Sequence, residues 1–176
     1  MRTIFLVFGR AGSGKGTLSK RYVDEHNNIR WIESGGLIRS TLNNDAEIQT
    51  IINSGNLIPD EKICSLIVTE ILKDNKNIIL DGYPRTLQQL QMLEEKLPNV
   101  KITSILIDCP ESICLIRLLN RDDNRNDDHP VAIKRRFEIF TKNMEELLPY
   151  IQSNLHIING TNERNLVYED FKSCVC

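Results

Sequence analysis

The sequence predicts an α/β fold, one doubly wound domain with a five-stranded parallel sheet and helices on both of its faces. Three observations predict it. Residues 3–8 are apolar almost without interruption, as a strand buried on both faces of a parallel sheet should be. Short apolar runs recur at Ile78–Leu80, Ile102–Ile107 and Leu155–Ile158, and the stretches between them carry helical apolar spacing. A glycine-rich loop joins the first run directly to the first helical stretch.

Taken in order, the elements are a strand at 3–8, a helix at 15–26 and a weaker strand at Arg30–Glu33, the fifth of the set. Residues 34–58 read as short helical pieces broken by Gly35-Gly36 and Gly55, a small helical insertion over the sheet edge. Asp60-Glu61 opens a helix over 60–74, followed by the strand at 78–80 and a helix at 86–97. The strand at 102–107 leads into a helix at 110–121. Pro130 starts another helix at 130–152, before the last strand at 155–158. The single domain 1–176 thus divides into a core (1–33, 59–121, 130–176), the insertion (34–58) and a short loop (122–129).

With 176 residues, 40% hydrophobic and 26% charged, the chain fits one soluble domain with an ordinary core. No apolar run approaches the roughly 20 residues of a membrane span. The apolar N-terminus is expected to be a strand and not a signal peptide, because the glycine loop stands where a cleavage site would be. The five cysteines (64, 109, 114, 174, 176) lack zinc-ligand spacing and read as free thiols in a reducing cytoplasm. A net charge of -2 argues against a general nucleic-acid partner.

The strongest motif is Gly9-Arg10-Ala11-Gly12-Ser13-Gly14-Lys15-Gly16-Thr17. Strand, glycine loop and helix in that order make a P-loop, so the fold is that of P-loop NTPases. Glycines 9, 12, 14 and 16 let backbone N–H groups turn inward around a phosphate, helped by the helix N-terminus, and Gly12, Ser13, Gly14, Lys15, Gly16 and Thr17 are the expected ATP site. Lys15 reaches the outer phosphates of a nucleoside triphosphate. Gly16 stands where many such loops carry the hydroxyl that helps to hold Mg²⁺, and Thr17 follows one residue later.

A second signal is Asp81-Gly82-Tyr83-Pro84-Arg85-Thr86 at the carboxyl end of a parallel strand, where open α/β sheets bind ligands. An arginine there should face phosphate, and Asp81 can hold metal-bound water beside the P-loop. Ser34-Gly35-Gly36-Leu37-Ile38-Arg39 has a similar composition.

The P-loop, Ser34–Arg39, Gly55-Asn56-Leu57-Ile58-Pro59-Asp60 and Asp81–Arg85 appear in the order and spacing of adenylate kinases, which the chain resembles over nearly its whole length. The resemblance implies that the insertion caps AMP, that Arg39 and Arg85 grip its phosphate, and that Ser34 and Gln89 face its adenine, with Ile58 and Gly82 completing the AMP site. It implies an arginine lid: Arg117 on the ATP adenine, with Arg121, Arg125 and Arg136 around the transferred phosphoryl and Asp127-Asp128 holding them. Gly160-Thr161 matches the turn beside the ATP adenine. Lys15, Arg85, Arg121, Arg125 and Arg136 are the expected catalytic set; Asp81 and Thr17 would contact Mg²⁺ through water. Arg135 is expected to be solvated. His26, His129 and His156 have no partners at catalytic spacing and read as structural or solvated.

Two departures stand out: Gly36 replaces the usual aspartate, and Arg10 replaces the usual proline. The lid is shorter than even the short-lid relatives carry, with no room for a zinc module. The implied activity is reversible transfer from MgATP to AMP by a cytoplasmic monomer. The alternatives are a UMP/CMP kinase on the same fold and a weakly hydrolysing ATP-binding switch, which Gly36 and the short lid keep open. A GTPase is disfavoured by the lack of an Asn-Lys-x-Asp segment.

Overall fold

The computed structural model describes residues 2–42, 44–120 and 129–175. Five strands, β1 (Thr3–Phe8), β2 (Ile29–Glu33), β3 (Asn77–Asp81), β4 (Lys101–Asp108) and β5 (Leu155–Asn159), form one sheet in the order β2-β3-β1-β4-β5. Every pairing is parallel, with β1 central, Val7 opposite Asp81 of β3 and Phe8 opposite Leu106 of β4. The chain therefore winds in both directions from β1, and the carboxyl ends of all five strands share one edge of the sheet.

The apolar run of β1 splits by parity, because successive side chains of a strand point to opposite faces. Ile4, Leu6 and Phe8 enter one core layer with Ile63, Ile67 and Ile71 of α4 (Asp60–Ile71), Leu90 and Leu93 of α5 (Leu87–Lys96), and Leu147 of α7 (Pro130–Ile151). Phe5 and Val7 enter the other, with Leu18 and Tyr22 of α1 (Lys15–Glu25) and Tyr168 and Phe171 of α8 (Arg164–Val175). A third cluster joins Cys114 and Leu118 of α6 (Glu111–Leu119) to Ile133 and Phe137 of α7 beyond the sheet edge. The expected five-stranded parallel sheet, covered on both faces, is what forms.

Several boundaries differ from expectation. The helix expected to end at 74 ends at Ile71, and the one expected to reach 121 ends at Leu119. Gly35 and Gly36 do not break the insertion: α2 (Ser34–Thr41) starts at Ser34 and runs through both. Two glycines in a first helical turn cost little when the next turns pack Leu37 and Ile38 against the core. Gly55 does end α3 (Ala46–Asn53), at φ +76°. The helix α8 was not expected, although Val167, Phe171 and Val175 recur every four residues and are buried.

Starting signals hold. The Asp45 carboxylate caps α3 and Thr86 caps α5, each accepting from the backbone N–H three residues on. The ring of His129 caps α7, accepting from Ala132 N, and Pro130 occupies the first helical position. Among the described residues no helix is long and apolar enough to cross a membrane. Cys64, Cys109 and Cys114 are buried free thiols, and Cys174 is half-buried. The short loop expected at 122–129, together with Arg121, Arg125, Asp127 and Asp128, lies outside the described residues except for His129.

Candidate active site

A cleft of about 480 Å³ opens at the carboxyl ends of β1, β2 and β3, between the glycine loop, α2 and the middle of α7. Position and size suit a nucleotide-sized ligand. The loop between β1 and α1 sets its floor. Gly12 has φ +81°, and a Cβ there would lie 2.4 Å from the Cys114 carbonyl oxygen, so only glycine fits. Ser13 is buried, and Gly14 caps α1 in the left-handed region. The helix N-terminus therefore points into the cleft.

Lys15 is held under this loop. Its ammonium donates to the carbonyls of Gly9 (2.7 Å) and Arg10 (3.0 Å). Part of its stem is accessible, but desolvation of the ammonium lowers its pKa; Asp81 opposes that shift, and Arg85 and Arg136 add to it. Asp81, at the end of β3, is 5% exposed. Burial raises its pKa, Lys15 and Arg85 pull it down, and the nearby Glu33 pushes it up. A Cβ on Gly16 would meet Asp81 Oδ2 at 3.4 Å, so position 16 is small where the carboxylate approaches the loop. Thr17 is exposed at the cleft's edge.

On the other wall, Ser34 Oγ and Arg85 Nε both donate to the Gly82 carbonyl, each at 2.8 Å. Arg39 is paired with Glu33 at 3.2 Å. Ile58 is buried in the cleft wall, and Arg136 enters from α7. Gln89 is 2% exposed, not the solvated residue its Gln-rich neighbourhood suggests. Its Oε1 accepts from Arg85 N (2.6 Å) and its Nε2 donates to Asp60 Oδ1 (2.7 Å). These two partners fix which end of the amide is oxygen and which is nitrogen.

Arg117 and Gly160 do not line this cleft but meet on the far side of the loop. Arg117 donates to Ser13 O (3.3 Å) and Gly160 O (2.9 Å), joining the P-loop to the turn after β5. Arg135 is exposed yet not simply solvated. It donates to Asn56 Oδ1 at 3.1 Å and pairs with Glu138, because the start of α7 lies against the insertion. His129 accepts from Ala132 N at Nδ1 and donates from Nε2 to the Asn53 carbonyl, a structural role. Arg121 and Arg125 fall on residues that are not described.

Three contributors went unread in the sequence. Arg10 reaches across to α7, with its guanidinium 5.2 Å from the Phe140 ring centroid and 3.4 Å from Thr141 Oγ1, and it pairs with Glu111 at 3.7 Å. That fastening accounts for an arginine in the loop, and no local pattern signals it. Asp60, read only as a helix start, orients Gln89. Glu33, read only as a strand end, sits beside Asp81 because β2 neighbours β3, an adjacency no local pattern gives.

Comparison with known proteins agrees with this geometry. The family model described as adenylate kinase matches residues 7–156. An adenylate kinase of Prochlorococcus marinus (strain MIT 9515) is 33% identical over 181 residues, covering 98% of each chain. An adenylate kinase of Bacteroides fragilis is 32% identical, covering 97% of this chain and 96% of the relative. UMP-CMP kinase 3 of Arabidopsis thaliana is 30% identical, covering 97% of this chain and 88% of the relative. Matches of this extent, on a parallel sheet with a phosphate loop and an arginine-lined cleft, place the chain in the adenylate kinase family of nucleoside monophosphate phosphotransferases.

Proposed function

We propose that the protein transfers the γ-phosphoryl group of MgATP reversibly to AMP, giving two ADP, and works as a cytoplasmic monomer without nucleic-acid or membrane partners. The observation that carries the choice of AMP is the clamped amide of Gln89, in the same cleft as Lys15 and Arg85. With Oε1 and Nε2 each committed to one protein partner, one lone pair and one N–H remain for a base. Adenine offers a ring acceptor beside an exocyclic donor. Guanine and uracil offer the reverse order, which an amide held in one orientation reads poorly, while cytosine offers adenine's order on a smaller ring.

On this reading Arg39, Arg85 and Arg136 neutralise the AMP phosphate, with Ser34, Ile58 and Gly82 shaping its pocket. Gly12, Ser13, Gly14, Gly16 and Thr17 surround the ATP phosphates with Lys15, and Arg117 and Gly160 flank the ATP base. Arg121 and Arg125 complete the charge neutralisation by resemblance alone. The AMP phosphate is already a nucleophile, so the reaction calls for positioning and charge stabilisation more than for a base. Planar guanidinium groups suit the equatorial oxygens of the transferred phosphoryl group.

The residues fit a nucleotide-bound Mg²⁺. A buried carboxylate at Asp81 lies beside Gly16 and Lys15 without filling the loop, and Thr17 stands at its edge. Both would act through water. Bound there, the ion would supply positive charge that offsets the negative charge of the phosphates.

A coupled assay of ADP formation from MgATP, with AMP, CMP, UMP and GMP each offered separately against a blank, tests the reading. Turnover with AMP well above the others is expected. Preference for CMP or UMP would make it the UMP/CMP kinase, and acceptor-independent hydrolysis alone would make it a switch.

A further inference from the structure

Glu33 and Asp81 are register partners at the ends of two adjacent parallel strands. Their backbones are thus about 4.8 Å apart with side chains on the same face. Both line the cleft beside Lys15, and the charge of Glu33 is felt at Asp81. The Glu33 carboxyl is turned toward α2. Its Oε1 accepts from Arg39, and its Oε2 lies where a side chain at position 36 would begin, 2.8 Å from a Cβ built on Gly36. Glycine at 36 therefore leaves room for this placement of Glu33: a side chain there would displace that carboxyl.

We propose that Glu33 is a positioning residue for the nucleotide-bound divalent cation, its carboxylate reaching from β2 across Gly36 to hold the cation's water together with Asp81. The inference deepens the proposed phosphoryl transfer and rests on it for the cation's presence. It also gives the departure at Gly36 a physical meaning: the space where a side chain there would begin is taken by the Glu33 carboxyl. Two carboxylates on neighbouring strand ends, close to Lys15, are costly to keep ionised together, and a nearby divalent cation would relieve that cost. Arg39 contacts the other oxygen and so fixes the direction of the carboxyl.

The test uses Mn²⁺ in place of Mg²⁺, with its affinity for the protein–ADP complex read by electron paramagnetic resonance. It compares the full-length protein with Glu33→Gln and with the double variant Glu33→Ser, Gly36→Asp. Outer-sphere partners of a metal are worth roughly 10-fold or more in affinity. Glu33→Gln should therefore weaken Mn²⁺ binding about 10-fold. The double variant, which moves the carboxylate to the helix, should recover most of it. Unchanged Mn²⁺ affinity in Glu33→Gln overturns the proposal, as does a loss that the double variant fails to recover. AMP affinity that shifts while Mn²⁺ affinity stays constant also overturns it, in favour of a role through Arg39 alone. A wild-type protein that forms no ADP from AMP, yet shows the Mn²⁺ pattern, would sink the proposed acceptor and leave this inference standing.

Discussion

The substitution Gln89→Met keeps nearly the same buried volume and deletes both polar ends of the side chain. Arg85 N then has no Oε1 to donate to, and Asp60 Oδ1 loses its N–H donor. A buried N–H left without a partner costs about 1–3 kcal/mol, and a hydrogen bond to a charged group is worth about 1.5–3 kcal/mol. Arg85 is exposed and Asp60 half-buried, with the other Asp60 oxygen accepting from Thr86 Oγ1 at 3.3 Å, so water can meet part of both losses. The sum is about 1–3 kcal/mol. For a chain of this size that lowers the melting temperature by about 2–12 °C. Urea unfolding should show a lower midpoint with an unchanged slope. Among variant molecules that remain folded, the kcat/KM preference for AMP over GMP and UMP should fall by about 100-fold or more, since the site no longer offers a donor and an acceptor. An unchanged midpoint together with an intact AMP preference would refute the argument on both counts.

Gly12→Ala should destabilise by about 2–4 kcal/mol, or prevent folding, because the new Cβ would press on the Cys114 carbonyl from a left-handed backbone; thermal unfolding checks it. Lys15→Met should lower kcat by about 100- to 1000-fold and weaken ATP binding, with secondary structure intact by circular dichroism; near-wild-type turnover would remove Lys15 from the site. Burial raises the pKa of Asp81, which faces Lys15, Glu33 and Arg85. Its contribution to stability is therefore full below the pKa of the unfolded chain, about 4, and is lost as pH rises through the folded value. Stability of Asp81→Asn relative to wild type should accordingly improve from pH 4 toward 7 in denaturant titrations, and a pH-independent difference would refute the sign.

Most of the sheet was legible because β1, β3 and β4 are buried on both faces and so are written as unbroken apolar runs, while β2 and the exposed edge strand β5 are weaker. The P-loop was legible because its glycines answer to local geometry, as Gly12 does. Helix ends were read too far because polar residues after Ile71 and Leu119 fit a helix as well as a turn; tertiary packing, not propensity, ends those segments. Gly35-Gly36 misled for the same reason. Lys15, Asp81, Arg85 and Gln89, which line the cleft, are singled out by the sequence, the last through resemblance. The partners that orient them were not, since Asp60 lies 29 residues from Gln89 and Thr141 lies 131 residues from Arg10. Such pairs exist only after folding.

The long helix α7 and its cap residue carry five of the side chains described above at successive heights. His129 and Arg135 meet Asn53 and Asn56 of the insertion, Arg136 enters the cleft, and Phe140 and Thr141 receive Arg10 from the phosphate loop. It is a common spindle for the phosphate loop and the insertion. On the proposed function these parts serve two different substrates, and ordering of one along this shared helix would lower the entropy still to be lost in ordering the other. Severing one strut, as in Arg10→Ala, should leave each substrate's own contacts intact while making their binding more nearly independent, and calorimetric titration of AMP with and without an ATP analogue would register it.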